Sequence, residues 1–350
     1  MMSKKRVAIV FGGQSSEHEI SCVSAGGVLG AIDRERFDPI LIGITRSGKW
    51  VLVDQATTLA IKEGKLPEVD ASLPAIDADI HGFNSNGKAL NIDVLFPLLH
   101  GPYGEDGTMQ GLCEMAGIRY VGSGVLASAV AMDKSFAKPI FAAHGLKVAP
   151  GIVLKQGEWS ASQIENLKYP VFVKPARSGS SRGTTKVKSF AELQAAIDHG
   201  FEFDTKVMIE EAIVGREIEC GVLESAGNAQ ASPIGEIKIL GKHEFYDFEA
   251  KYLDNATTVA FPDDLPAGAE KAIQEAAIKA FKALDCEGLA RVDFFYTDGG
   301  EIVINELNTM PGFTPTSMFP KLWERGGLSY SEVITKLIDA GLTRSGHVTR

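Results

Sequence analysis

Between Gly288 and Gly312 the chain reads G-L-A-R-V-D-F-F-Y-T-D-G-G-E-I-V-I-N-E-L-N-T-M-P-G. Two alternating runs, Leu289 to Tyr296 and Glu301 to Asn308, flank Asp298-Gly299, a strong short signal for a β-hairpin. A two-residue turn there sets Arg291 opposite Glu306 with Asp293 diagonal to it, and leaves Glu306 and Asn308 on one face because strand side chains alternate. Two carboxylates, an amide and a guanidinium then converge. Hard divalent cations take oxygen ligands, and Mg²⁺ usually keeps one or two protein carboxylates plus substrate phosphates. Asp293, Glu306 and Asn308 therefore suit Mg²⁺-ATP better than zinc. Directly after them, Thr309-Met-Pro311-Gly312 leaves the strand and brings backbone N–H groups beside the metal.

A second group of residues suits phosphate. The segment Lys174-Pro-Ala-Arg-Ser-Gly-Ser180-Ser181-Arg-Gly183 follows an apolar strand, and its small residues let N–H and hydroxyl groups close over an anion. It has neither the Walker spacing nor G-x-G-x-x-G, and a glycine-serine loop taken alone is as often a plain connector. Lys134 and Lys174 would add positive charge. Glu210, at the end of Val207-Met-Ile-Glu210, is placed to accept from an adenine amino group, and Glu217 from ribose hydroxyls. Taken singly, either glutamate is more often a structural or surface group.

These side chains need a scaffold. At 350 residues the chain is longer than most single cores, so two or three packed domains are expected. Apolar content of 45% and charged content of 23% are those of a folded globular protein, which argues against disorder. A net charge of −10 argues against a general nucleic-acid binder. Cys22, Cys113, Cys220 and Cys286 have no C-x-x-C spacing, so neither a zinc site nor a disulfide framework is indicated, and a reducing cytoplasm fits. Val7 to Phe11 is too short for a signal or membrane segment and reads as a strand.

That run breaks at Gly12-Gly13 before a helix rich in small residues. With further apolar runs at Pro39 to Ile44 and Val94 to Leu99, it predicts an α/β N-terminal domain with a parallel sheet. The interval from Trp50 to Asn91 has weak periodicity and is read as an insert. A long helix is expected over Gly124 to His144 and a strand at Val171 to Lys174. Beyond these come strands near Glu217 to Leu223 and a helix near Ala269 to Leu284. The boundaries expected are 1–125 for an N-terminal substrate-binding domain, 126–214 for a central unit and 215–350 for a C-terminal catalytic unit.

Three blocks carry a family resemblance: Phe11-Gly-Gly-Gln-Ser-Ser-Glu17-His18-Glu-Ile-Ser, His100-Gly-Pro-Tyr-Gly-Glu105-Asp106-Gly-Thr-Met-Gln-Gly111, and Gly288 to Gly312. Together they resemble the D-alanine:D-alanine ligases of the ATP-grasp superfamily. The H-G-x-x-G-E-D-G block is specific to that family, whereas Arg-x-Asp with Glu-x-Asn is shared more widely by ATP-grasp enzymes. The resemblance implies a three-domain ATP-grasp fold and ligation of two D-alanines through an acyl phosphate, with ATP and two Mg²⁺ (or Mn²⁺). It also implies a homodimer, with no nucleic-acid or membrane partner.

By motif, it implies that Asp293, Glu306 and Asn308 ligate metal and that Lys134, Lys174, Ser180, Ser181, Glu210, Glu217 and Lys251 contact ATP. Glu17 and His100 would hold the first D-alanine, while Ser180 and Tyr252 would tie closure of a loop containing Lys251 to Glu17. Arg291 and the Gly312 N–H would stabilise the tetrahedral intermediate, and Ser317 and Met318 would lie near the second D-alanine. Arg182 stands where the family often has an apolar residue, and Asp263 where alanine is common.

Three other functions compete with this one. A D-alanyl-D-serine or D-alanyl-D-lactate ligase is nearest, although Tyr252 resembles the dipeptide-forming members. A non-catalytic nucleotide-binding module would be expected to have lost part of Arg291, Asp293, Glu306 or Asn308, and all are present. A nicotinamide oxidoreductase fails because Gly12-Gly13-Gln-Ser-Ser lacks the fingerprint spacing.

Overall fold

The structure, a computed structural model, describes residues 3–61, 64–239 and 257–344. The apolar start of the chain forms β1 (Lys5–Gly12), followed by α1 (His18–Ala31), β2 (Phe37–Ile44) and β3 (Trp50–Val53). Val7, Ile9 and Phe11 enter one core while Ala8 and Val10 enter another. Burial on both faces explains why this run is continuously apolar rather than alternating. The interval read as an insert supplies β3, which adds antiparallel to β2. It also supplies a separate small sheet of β4 (Ile76–Asp79), β5 (Gly82–Ser85) and β6 (Lys88–Ala89). β7 (Val94–Pro97) returns parallel to β1, giving the order β3-β2-β1-β7. The sheet is thus parallel apart from one edge strand.

After α2 (Thr108–Ala116), the stretch expected as one helix is two, α3 (Val125–Met132) and α4 (Lys134–Ala143). The break is Asp133, whose extended backbone stops α3 and whose carboxylate accepts from Ser135 N at 3.0 Å as the N-cap of α4. An aspartate gains more from capping than from continuing a helix. Lys206 secures the same carboxylate at 2.6 Å. Lys134 consequently opens a helix instead of lying in the middle of one.

β8 (Lys147–Val148) leads to β9 (Gly151–Lys155), β10 (Val171–Pro175), β11 (Thr185–Val187), α5 (Phe190–Phe201) and β12 (Lys206–Glu211). The last four strands form an antiparallel sheet, β11-β10-β12-β9, and α5 covers it with Leu193, Ala196 and Ile197. The third large sheet contains β13 (Arg216–Ser225), β14 (Asn228–Ile239) and β15 (Thr257–Ala260), with α6 (Ala269–Ala283) packed on one face. β16 (Leu289–Tyr296) and β17 (Ile302–Asn308) complete it, in the order β15-β14-β13-β16-β17-β8. α7 (Met318–Arg325) lies against its opposite face, where a side chain at Gly221 would meet Trp323 and Phe319. α8 (Tyr330–Thr343) returns to the first sheet and places Val333, Ile334, Leu337 and Ile338 in the same core as Val7 and Ile9.

The hairpin departs from the expected register in two places. Its turn is wider than two residues: Gly300 N–H bonds Thr297 O at 2.9 Å and Thr297 N–H bonds Glu301 O at 3.0 Å, with Gly300 in the left-handed region at φ 78°. A second irregularity inserts Asn305 as a bulge opposite the step from Asp293 to Phe294. Asp293 therefore faces Glu306 directly, and Arg291 faces Asn308. The bulge resets alternation, so Ile304 and Leu307 both reach the core while Glu306 and Asn308 share the opposite face.

Candidate active site

The face of the third sheet turned away from α6 carries a row of carboxylates. Glu219 on β13 pairs with Asp293 on β16, which pairs with Glu306 on β17. Arg291 grips Asp293 with both prongs, Nε to Oδ1 and Nη2 to Oδ2, each at 2.7 Å, and lies 3.0 Å from Glu219. Burial acts to lower the Arg291 pKa, but Asp293 and Glu219 overcome it and hold the guanidinium well above its ordinary value. Asn308 donates its amide to Asp293 at 3.1 Å, and Lys134 sits 3.2 Å from Glu306.

Among the described residues, no three His, Cys, Asp or Glu side chains form a metal cage by themselves. Hard oxygens from Asp293, Glu306 and Asn308, opposed on adjacent strands, nonetheless fit a cation that takes few protein ligands and completes its shell with phosphate and water. Arg291 and Lys134 neutralise those carboxylates in this structure.

The nucleotide candidates gather beneath the second sheet. Lys174 lies 2.5 Å from Glu210 and donates to Asn305 Oδ1 at 3.2 Å, and Lys138 pairs with the other oxygen of Glu210. Burial alone would raise the Glu210 pKa, yet Lys174 and Lys138 draw it down to about 2. Burial and Lys174 lower Lys138 to about 8 against the pull of Glu210. Glu210, expected as an adenine acceptor, is here the counter-ion of two lysines. Lys134 also donates to Ser178 O at 2.9 Å.

Ser180 and Ser181 both take left-handed backbone, φ 51° and 56°, conformations that non-glycine residues hold only when surrounding structure imposes them. Arg177 anchors the base of this loop to Asp204, and the Arg182 guanidinium lies over the Phe203 ring at 5.7 Å. Glu217 lies half-buried two residues before Glu219, on the same strand face. Lys251 and Tyr252 lie outside the described residues.

The third group meets at the mouth of the first sheet. His18 opens α1 with Nδ1 on Gly13 O at 2.8 Å, and its Nε2 accepts Val69 N–H at 3.2 Å, tying the glycine turn to the 50–91 interval. The preceding residue, Glu17, accepts the Ser180 hydroxyl at 2.6 Å. His100 is buried, and Nδ1 meets Met310 O at 3.3 Å. Burial lowers its pKa, while Glu17 acts in the opposite sense. Burial and then Glu17 push Glu105, five residues on, up to about 8. A cavity of about 190 Å³ borders this group along Gly13, Ser15, His100 and Tyr103.

A side chain at Gly312 would come within 3.1 Å of the Ser317 hydroxyl, which binds Thr314 N at 3.1 Å at the start of α7. Met318 differs from its companions. Its side chain is buried with Ile237 and Leu322, so only its backbone is placed to meet a ligand. Three participants, Lys138, Glu219 and Asn305, were given no role from the sequence, and Glu105 was named only as part of the H-G-x-x-G-E-D-G block. Lys138 could have been found one turn after Lys134 on the same helix, and Glu219 by alternation from Glu217.

Known proteins match the chain over most of its length. Residues 6–123 match the family model "D-ala D-ala ligase N-terminus" and residues 140–339 match "D-ala D-ala ligase C-terminus". A D-alanine--D-alanine ligase of Arthrobacter sp. is 51% identical, with 98% of this chain and 95% of the relative covered. Among solved structures, the VanG D-Ala:D-Ser ligase of Enterococcus faecalis superposes with a TM-score of 0.86 at 40% identity, covering 97% of this chain and all of that one. The D-alanine-D-alanine ligase of Coxiella burnetii does so with a TM-score of 0.82 at 34% identity, covering 97% and 95%. Fold and site define an ATP-dependent carboxylate–amine ligase built on the ATP-grasp fold. The chain belongs to the D-alanine:D-alanine ligase family.

Proposed function

We propose that this ligase joins two D-alanine molecules into D-alanyl-D-alanine through an acyl phosphate, for the cell-wall precursor. The hydrogen bond from Ser180 to Glu17 carries the reading, since it ties the phosphate-side loop to a carboxylate suited to an amino group. A carboxylate does not condense with an amine near neutrality, because oxide is too poor a leaving group. Phosphorylation by ATP replaces it with phosphate.

Glu17 and His100 orient the first D-alanine so that its carboxylate attacks the γ-phosphoryl group, and Lys134 and Lys174 meet the negative charge that moves there. Asp293, Glu306 and Asn308 would hold two Mg²⁺ (or Mn²⁺), which neutralise phosphate charge when bound. Ser180 and Ser181 lie along the phosphate loop, and Glu210 and Glu217 border the nucleotide. The amine of the second D-alanine, placed near Ser317 and the Met318 backbone, attacks the acyl carbon. Arg291 and the Gly312 N–H receive the oxyanion, and phosphate leaves. Lys251 and Tyr252 would exclude water from the acyl phosphate.

The proposed division at 1–125, 126–214 and 215–350 follows the three large sheets except that α3, α4 and β8, which precede the second sheet, pack with the third. A cytoplasmic homodimer remains the family expectation. No helix among the described residues is long and apolar enough to cross a membrane.

Phosphate release on mixing the protein with ATP, Mg²⁺ and D-alanine, with mass detection of the dipeptide, tests the activity. Absence of D-alanine-dependent release would refute it. Similarity to the D-Ala:D-Ser ligase gives a second reading, and competition among D-alanine, D-serine and D-lactate across pH separates the products. A preference for D-serine or D-lactate would replace the assignment.

A further inference from the structure

We propose that Tyr330 is a positioning residue for the amine-attack step: its hydroxyl holds the Phe313 carbonyl and so sets the loop 312–317 that receives the second D-alanine. The proposal rests on the ligase reading above, which gives Tyr330 no task.

The loop between β17 and α7 carries chemistry at both ends, with the Gly312 N–H facing the oxyanion and Ser317 beside the second substrate. It closes on itself. Ser317 Oγ accepts Thr314 N–H at 3.1 Å and lies 2.7 Å from Thr314 Oγ1. A Cβ at Gly312 would fall 3.1 Å from the same Ser317 oxygen, so both ends of the loop meet at that hydroxyl. These contacts fix the shape of the loop but not its seat.

The seat comes from Phe313 and Tyr330. The Phe313 side chain is fully buried, its ring 5.7 Å from Phe96 and 5.9 Å from Phe319. Apolar packing of this kind is non-directional and leaves the main chain free to turn. Tyr330 removes that freedom: its ring lies 5.7 Å from Phe313 and its hydroxyl donates to Phe313 O at 2.7 Å. Burial raises the Tyr330 pKa, so the phenol keeps the proton it donates.

The Phe313 carbonyl and the Thr314 N–H belong to one planar peptide unit. That plane is therefore held on both edges, by Tyr330 on one and by Ser317 on the other. Releasing the carbonyl lets the plane rotate, and the Ser317 hydroxyl moves with it. Tyr330 is itself aimed by the start of α8, where Ser329 accepts Glu332 N–H at 3.3 Å and Ser329 N–H donates to the Glu332 carboxylate at 2.8 Å. This reciprocal cap fixes the first turn of the helix.

The other wall of the seat is α1. A Cβ at Gly27 would lie 2.8 Å from Pro315 Cδ and 3.0 Å from Tyr330 Oη, so the missing side chain lets loop and tyrosine press on one helix. Glycine is a poor residue for a helix interior, and the close approach accounts for it.

Tyr330→Phe in the full-length enzyme keeps the ring in the core and removes only the oxygen. Two readouts separate the steps. Acyl-phosphate formation is followed by D-alanine-dependent positional isotope exchange in ¹⁸O-labelled ATP, and its capture by the amine by dipeptide formed per phosphate released. We expect the KM for the second D-alanine to rise roughly 5- to 10-fold and dipeptide per phosphate to fall, with exchange and the KM for ATP unchanged. Gly27→Ala keeps the hydroxyl but pushes on Pro315, and should shift the same two quantities in the same direction. A merely structural defect would lower both steps together.

Parental values in Tyr330→Phe, a parallel fall in exchange, or parental partition in Gly27→Ala overturns the proposal. Absence of D-alanine-dependent exchange in the unmodified enzyme would instead overturn the ligase reading, and this proposal with it.

Discussion

Ser180 donates its hydroxyl to Glu17 at 2.6 Å, joining residues 163 apart in sequence in the loops that follow β10 and β1, strands of different sheets. The donor sits on strained backbone at φ 51°, so the hydroxyl is aimed before any ligand arrives. Hydrogen bonds to a charged group contribute about 1.5 to 3 kcal/mol, roughly 10- to 100-fold in an equilibrium. Ser180→Ala is expected to lower kcat/KM for the first D-alanine by about that factor, with a smaller change in the KM for ATP. Steady-state kinetics with each substrate varied decides it, and equal effects on both would remove Ser180 from the first-substrate site.

The facing pair Asp293 and Glu306 leads to a metal prediction. Asp293→Ala removes one hard ligand and strips Arg291 of its bidentate partner, leaving a buried guanidinium with Glu219. Phosphate release should become undetectable at any Mg²⁺ concentration. In the unmodified enzyme, chelation by EDTA should abolish release and either Mg²⁺ or Mn²⁺ should restore it. Retained activity in Asp293→Ala would dismiss this face as the metal site.

Most of this site was legible before the fold was known, for a physical reason. Chemistry needs particular residue types, and Arg291, Asp293, Glu306 and Asn308 stand out as polar positions in otherwise apolar strands. Their pairing was less legible, because the two-residue turn and strict alternation both assumed an ideal hairpin. Ile302, Ile304 and Leu307 held the correction: apolar spacing of two and then three requires an extra residue, which is the bulge at Asn305. Asp133 carried a similar sign inside the expected long helix. Lys138 and Glu219 were hidden because their partners come from other strands and helices, and sequence spacing does not report such contacts.

Lys138, Lys174 and Glu210 form a buried group in which charge balance decides stability. Lys138 and Glu210 are both less than a tenth exposed. Lys138→Met leaves Glu210 with Lys174 alone, and breaking a buried pair costs on the order of 3 kcal/mol. Urea unfolding should show a loss of that order, and Lys138→Met with Glu210→Gln should recover much of it while ATP affinity stays low. A Lys138→Met single variant as stable as the parent would refute the pairing. The sign of the pH effect follows from Glu210. Its folded pKa of about 2 lies below the ordinary 4.5, so its contribution is present above pH 4.5 and is lost as pH falls toward 2.

Glu105 titrates with the opposite sign. Burial and the neighbouring Glu17 raise its pKa from 4.5 to about 8, so the folded protein holds that proton more tightly than the unfolded chain does. Its stabilising contribution is therefore full below pH 4.5 and declines as pH rises, until it is lost above about pH 8. Glu105→Gln carries a permanently neutral group of the same size. The difference in urea midpoint between Glu105→Gln and the parent should be small at pH 5 and should grow in favour of the variant up to pH 9. The charged groups facing the carboxyl are Glu17 and Arg291, and only Glu17 adds to the rise, so Glu17→Gln should lower the Glu105 pKa and end the decline at lower pH. A midpoint difference constant from pH 5 to 9 would show that Glu105 ionises normally.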